Sequence, residues 1–469
     1  MLLHGATSTQ AQGALRSGNP PRRGFTGCAI AESLPETERP TRVRYVVLAG
    51  LCLMAGIAYV QRGCLGSAET TIWANLGVSQ ADTGGALEIF FLTYALFQIP
   101  MGLLVDRWGA RKSLLFFGIL SALTLALGAG VLLLGPATGL SFVIVSRALM
   151  GVAQAGLFPA ATRCFATWFP VQRRAFATGF FQAFMSIGGA SGSFIAGSLL
   201  VAVYWPWVFV IFAVPGIIWS VWFYAWYRDR PAEHPAVNDA ERELLKQVDL
   251  PARSTAKGPT PWLKLATRPQ LLWLCASQFF RASGNVFWMT VCATFLQVVY
   301  RVDVRTANEL TSIPFMGVVI GSLCGGLLAD LVLARTGSKR KSRNGVAIST
   351  GLISSGFFVL CYFVDAGPQV AIALLFIAAV FSSGANSCSY SVTIDIGGRY
   401  MAVVFGAMNM MGNIGAFFFA KRFYLPWTRE FGLASGPLLL ATLYLLGAFC
   451  WCFVNPNGTV LDEHAEAKQ

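Results

Sequence analysis

The 469-residue chain is 55% apolar and only 12% charged, with 36 Phe, 13 Trp, 12 Tyr and 48 Gly. Soluble domains carry roughly a quarter charged residues, so this balance argues against an ordinary soluble enzyme. Runs of about 20 apolar residues recur along nearly the whole sequence and point to a polytopic membrane protein. The net charge of +13 comes from 35 Lys and Arg against 22 Asp and Glu. Its bases gather in short segments between apolar runs, which favours topology over nucleic-acid binding as their role.

In chain order, residues 1–43 are rich in Gly, Ser, Thr, Pro and Arg and lack the three-part layout of a secretory signal. They read as a flexible cytoplasmic N-terminal tail. Twelve helical spans are expected at about 44–66, 82–104, 113–134, 141–161, 173–201, 206–227, 269–298, 308–333, 345–364, 369–391, 400–420 and 432–454. The first six make an N-terminal bundle over 44–227. A cytoplasmic linker over 228–268 follows, with a short helical pattern at AERELLKQV. The other six make a second bundle over 269–454, and 455–469 form a cytoplasmic C-terminal tail.

Arg107, Arg111 and Lys112 follow the second span, Arg173 and Arg174 the fourth, and Arg335, Lys339, Arg340, Lys341 and Arg343 the eighth. These segments share a side with the linker and are cytoplasmic if both termini are; Arg301, Arg305, Lys421, Arg422 and Arg429 are exceptions on the other side. SKRKSR at 338–343 reads as a cytoplasmic anchor beside a span rather than a nucleic-acid patch. The 11 Cys form no CxxC pair or His/Cys cluster. With no nucleotide loop, catalytic triad or metal-ligand set either, the expectation is a protein that is not an enzyme and needs no cofactor.

Charges inside spans are the most informative, because each costs about 2.5–3.5 kcal/mol near the bilayer centre unless it faces protein or water. Arg62 lies in the first span, Arg147 in the fourth and Arg281 in the seventh. Each is either a helix-stabilising contact or an oxyanion site, for which the forked guanidinium is suited. Arg147, Gly151 and Gln154 share one helix face, as do Arg281, Asn285 and Trp288. Tyr59 precedes Arg62 by three residues and is expected to border the same cavity, either binding substrate through its hydroxyl or serving as an aromatic wall. In the tenth span FSSGANSCSY supplies Ser383, Asn386, Ser387 and Tyr390, and Gln182, Asn409 and Asn413 add further amides. Such small polar groups suit helix packing equally well. Glu69 and Glu88, toward the outer ends of the first two spans, are candidates for a coupling acid or an outer gate.

MGLLVDRWGARK at 101–112 and CGGLLADLVLARTGSKRK at 324–341 echo each other at equivalent places in two six-span halves. Alternating-access transporters are commonly built on such duplication. On these residues the chain resembles the major facilitator superfamily over about residues 44–455. The resemblance implies an all-alpha polytopic fold of twelve transmembrane helices in two six-helix bundles. It also implies a conformational gate at Gly102, Asp106, Arg107, Arg111 and Lys112, with Asp330 as the second-half counterpart. YVQR at 59–62, RALMGVAQAGLFPAATRCFATWFP at 147–170 and DIGGRYMAVVFGAMNMMGNIGA at 395–416 resemble the anion:cation symporter branch of organic-anion transporters. That closer resemblance implies substrate binding by Arg62 and Arg147, with Tyr59, Gln61, Gln154, Arg281, Asn285, Ser383 and Asn386 as further candidates. The branch commonly has an acid where Gln154 stands, and often one before the first-span arginine, where Gln61 stands. Those acids are associated with proton coupling, and glutamine does not titrate.

The expectation is a secondary transporter of a small organic anion, a carboxylate or sugar acid. It would work as a monomeric unit among membrane lipids in a bacterial inner membrane. Proton or sodium coupling, uniport, exchange and export of an amphipathic anion stay open, as does a membrane sensor on the same scaffold. No nucleic-acid partner is expected.

Overall fold

The computed structural model describes residues 39–77, 80–130, 136–246, 262–364 and 367–460, and leaves aside some side chains within them, chiefly those of 64–76 and 80–88. No strand occurs among the described residues. The physical reason is that hydrocarbon offers backbone amides no partner, so each span must satisfy its own N–H and C=O groups as a helix.

The spans are α1 (Val43–Leu76), α2 (Gln80–Trp108), α3 (Ala110–Leu127), α4 (Pro136–Gln154, resuming as Leu157–Trp168), α5 (Arg174–Ala202) and α6 (Trp205–Trp226). The second set is α7 (Pro269–Thr290, resuming as Cys292–Val299), α8 (Val304–Thr336), α9 (Val346–Phe363), α10 (Pro368–Gly397), α11 (Met401–Phe418) and α12 (Gly436–Trp451). Among the described residues, ten stretches are long and apolar enough to cross a membrane, and α7, bent by 56° at its break, adds an eleventh. One stretch, Pro368–Phe418, holds 51 residues. At 1.5 Å per residue it is more than twice as long as the ~30 Å hydrocarbon core. Gly398, at φ 50°, divides it into α10 and α11, which makes twelve passes.

The halves repeat one packing scheme. In the first, α1 packs on α5, α2 on α4 and α3 on α6; in the second, α7 packs on α11, α8 on α10 and α9 on α12. The halves meet along two seams, α2 against α11 and α5 against α8. These are equivalent pairs, as expected of a duplicated unit facing its copy. Helices approach closely at small residues, because packing rather than hydrophobicity joins helices in lipid.

The linker begins as a docked segment. Its helix Asp239–Lys246 presents Glu241 to the start of α1. That carboxylate accepts hydrogen bonds from Thr41 Oγ1 (2.6 Å), the Val43 amide (3.2 Å) and Arg44 Nη1 (2.9 Å). A carboxylate at a helix N-terminus satisfies amides that have no partner inside the helix. His234 lies between the rings of Trp168 and Trp226, at 5.7 and 4.7 Å. The first part of the linker is therefore fastened to the first bundle.

Candidate functional site: a central arginine above a paired gate

Arg62 is the centre of the candidate site. Its guanidinium carbon lies 4.6 Å from the Tyr59 ring centre, 4.5 Å from Tyr94, 5.3 Å from Phe90 and 5.0 Å from Phe158. Rings placed this way stabilise a cation through their negative faces without neutralising it. Nε donates to Gln154 Oε1 at 2.7 Å, whereas Nη2 is buried without a hydrogen-bond partner among the described residues. The sequence singled out Arg62; it did not identify Tyr94, which reaches it from α2.

Gln61 and Gln154 join through a buried network rather than lining one wall. Gln154 Nε2 donates to Ser121 Oγ (3.1 Å) and Gln61 Oε1 (3.4 Å), and Gln61 Nε2 donates to the Phe212 carbonyl (3.2 Å). The network ties α1 to α3, α4 and α6 and holds the amide oxygen of Gln154 toward Arg62. Arg147 belongs to this interior. It is 2% exposed, donates to the Gln61 carbonyl at 3.5 Å and lies beside Met150 Sδ and the Phe209 ring. The structure therefore brings Arg147 to the backbone behind Arg62, not to the aromatic ring of groups around it.

The second bundle contributes Arg281, whose Nε donates to Gln278 Oε1 at 2.9 Å. It lies within electrostatic range of Tyr59, Tyr390 and Tyr444, and Tyr390 lies within range of Arg62. Asn409 Nδ2 crosses between bundles to Tyr94 Oη at 3.0 Å. Asn386 Oδ1 and both amide atoms of Gln182 are buried without partners among the described residues. Asn285 is half-buried on α7. Ser383 is occupied locally, its hydroxyl donating to the Ala379 carbonyl at 3.0 Å. Trp288 turns from the centre into the second bundle, stacked on Phe358 at 5.7 Å. The side chains of Glu69 and Glu88 lie outside the described residues.

Toward the linker end the seams are closed by matched devices. Asp106, at the end of α2, accepts from the amides of Ala402 and Val403 at the start of α11, both at 3.3 Å. Asp330, at the end of α8, accepts from the amides of Ala175 (3.3 Å) and Phe176 (2.8 Å) at the start of α5. Each carboxylate thus caps a helix of the opposite bundle, where free amides and the helix dipole favour negative charge. A Cβ on Gly102 would lie 2.7 Å from the Ala402 carbonyl oxygen, and one on Gly326 would stand closer still to that of Ala175. Only glycine admits this approach.

Three arginines pair with acids at these seams. Arg163 pairs with Asp106 (3.2 Å), Arg174 with Asp395 (2.7 Å), and Arg343 with both Asp330 (3.2 Å) and Asp395 (3.5 Å). Neither Arg163 nor Asp395 is marked by the in-span charge pattern; for Asp395 the local signal is a carboxylate beside the Gly-Gly break after α10. Arg343 departs from its expectation as a surface anchor, because its side chain is 0% exposed between two carboxylates. Arg111 secures the first-half loop instead: its amide donates to Asp229 (2.9 Å) and its Nε to the Tyr224 carbonyl (2.8 Å). Arg107 and Lys112 are exposed beside it.

Comparison with known proteins agrees with this architecture. The chain is 28% identical over 425 residues to a probable sulfoacetate transporter of Cupriavidus necator, covering 89% of this chain and 95% of the relative. It is equally 28% identical over 425 residues to the D-galactonate transporter of Escherichia coli O6:H1, covering 88% and 96%. The solved structure of the proton:xylose symporter XylE superimposes with a TM-score of 0.70 at 14% identity, covering 91% of this chain and 99% of that one. Residues 51–420 match the model of the Major Facilitator Superfamily. With twelve passes in two like bundles, and that match across most of its length, the chain is an integral membrane protein and secondary transporter belonging to the Major Facilitator Superfamily.

Proposed function

We propose that the protein carries a small organic anion, a carboxylate or sugar acid, with Arg62 as its principal anion-binding group. The observation that carries this reading is the buried Nη2 of Arg62, a strong donor held by Tyr59, Tyr94 and Gln154 with no acceptor among the described residues. A carboxylate or sulfonate oxygen satisfies both its charge and its hydrogen-bonding capacity. The names of the two relatives, for sulfoacetate and D-galactonate, support the same class. From the second bundle Asn409 reaches Tyr94 beside it, and Arg281, held by Gln278, is the further candidate on that side. Arg147 acts from behind by holding the Gln61 carbonyl.

Alternating access follows from the seams. Gly102, Asp106 and Asp330 form the conformational gate, supported by Arg111. Releasing the two carboxylate caps lets the bundles rock and expose the site to the linker side. The bases on that side make it cytoplasmic by the positive-inside rule, in what we take to be a bacterial inner membrane. The structure described is then the form with the cytoplasmic end sealed. Proteoliposome flux of labelled sulfoacetate and D-galactonate tests the assignment: Arg62→Gln is expected to reduce it at least ~10-fold, the loss of a charged hydrogen bond. Unchanged flux in a folded variant overturns it.

A further inference from the structure

In each half, the segment that leaves the last span is fastened by the head of the third span and the end of the fourth. In the first half the linker passes Arg111, whose amide donates to Asp229 (2.9 Å) and whose Nε donates to the Tyr224 carbonyl (2.8 Å). It then passes Trp168, whose Nε1 donates to the Arg228 carbonyl at 3.1 Å. In the second half residues 452–460 take the equivalent route. Asn344, just before α9, donates from Nδ2 to the carbonyls of Trp451 (2.7 Å) and Val454 (2.6 Å). The Val460 amide donates to the Ile396 carbonyl, in the last turn of α10, at 2.8 Å. Phe453 stacks on Trp273 of α7 at 4.6 Å, and Val454, Pro456 and Val460 are buried. Residues 452–460 are thus a strap across the linker end of the second bundle. Its last bond fills a carbonyl that the end of α10 leaves without a helical partner.

The place where the strap ends gives it a role. It meets the turn between α10 and α11, a stretch that both seams grip. On one side of the turn Asp395 pairs with Arg174 of α5 at 2.7 Å; on the other the amides of Ala402 and Val403 donate to Asp106 of α2, both at 3.3 Å. Gly398 makes the turn at φ 50°, and Thr459 Cγ2 stands 3.4 Å from where its Cβ would be. We infer that the strap 452–460 is a built-in latch on the gate: by fixing the α10–α11 turn it favours the form sealed at the linker end, and its release loosens both seams together. The inference rests on the reading of the seams as a conformational gate and adds what sets the gate's balance. Asp106 caps α11 only when the first amides of α11 stand in place, and Asp395 reaches Arg174 only when the end of α10 does. With the strap bound the turn is already ordered, so sealing costs less conformational entropy. With the strap released the seams must order the turn themselves, and the sealed form loses population by that difference.

The test follows hydrogen exchange of the full chain in lipid nanodiscs at two sets of amides. Ala402 and Val403 report the α2–α11 seam, and Ala175 and Phe176 the α5–α8 seam. Val460→Pro removes the donating N–H and keeps an apolar side chain. Exchange at both sets should quicken about 3- to 10-fold, the loss of one buried main-chain hydrogen bond. Val460→Asp also sets a carboxylate in the buried socket and should quicken both at least ~10-fold. Val460→Ile, which keeps the bond and the apolar contact, should leave both at the native rate. Unchanged exchange in the middle of α9 and α12 marks each variant as folded. Asp395→Asn is the reference for the gate itself. If it speeds exchange at Ala175 and Phe176 while Val460→Pro and Val460→Asp change neither set, or only one, the strap is mere packing and the inference is overturned with the gate reading intact. If Asp395→Asn also leaves those amides unchanged, the gate reading falls and this inference falls with it.

Discussion

The two seams at the linker end solve one problem with different side chains. In both, a carboxylate at the end of an even-numbered span caps the first amides of a helix across the bundle interface, beside a glycine that lets the backbones touch. Around Asp106 the support comes from Arg163 and from hydrogen bonds that tie Arg111 to Asp229 and Tyr224. Around Asp330 it comes from a buried chain of charge, Asp330 to Arg343 to Asp395 to Arg174. The shared part is backbone geometry, which a duplicated helix reproduces automatically. The divergent part is ionic. Three carboxylates meet three guanidiniums, so the two seams together are charge-balanced although they do not share partners.

That contrast can be broken most strongly at Asp395. Asp395→Asn leaves Arg174 without its acid, and removing one partner of a buried pair costs about 3–5 kcal/mol. Hydrogen exchange at the amides of Ala175 and Phe176 should accelerate, while that at Ala402 and Val403 changes less. Asp106→Asn should do the reverse at the lower end of that range, about 3 kcal/mol, since it strips one arginine, Arg163, where Asp395 serves two. Equal effects of both variants at both seams would show one cooperative gate instead of two. Next come the glycines: Gly326→Ala and Gly102→Ala should each open their own seam by about 1–3 kcal/mol of overpacking, with Gly326→Ala the larger because its contact is tighter. Labelling of a cysteine placed at Val403 or at Phe176 reports which seam has opened.

The smallest expected effect concerns the linker and belongs to the first half alone. Burial between Trp168 and Trp226, and then nearby Arg228, hold the His234 imidazole below its ordinary value near 6.5, with Glu241 opposing. A depressed histidine favours the docked linker when neutral. The undocked state gains the proton more readily, so docking weakens as pH falls from about 6.5 through the lowered value. Protease cleavage of the linker should therefore quicken between pH 7.5 and 5.5. His234→Gln should flatten that response, and an unchanged pH dependence in this variant would remove His234 from the explanation.

Legibility differed between fold and site for a physical reason. Apolar span length, the linker helix and the duplicated Gly-Asp motif follow from local rules, and the structure contains all three. Side-chain direction was harder. Arg62 and Arg147 looked alike, each a cation at depth, yet α2 offers aromatic rings to one while the Gln61 carbonyl receives the other. SKRKSR looked uniformly solvated, yet Arg343 turns inward because Asp330 and Asp395 meet at its position.

By itself the sequence determined that this is a twelve-span membrane protein of two like halves with few intramembrane charges, because the cost of polar groups in hydrocarbon acts on each segment separately. Which arginine faces the centre, which pairs with which acid and how the two seams close was decided only by tertiary structure. Helical periodicity places a residue on a face, but the helix packed against that face supplies the partner, and that partner comes from a distant part of the chain.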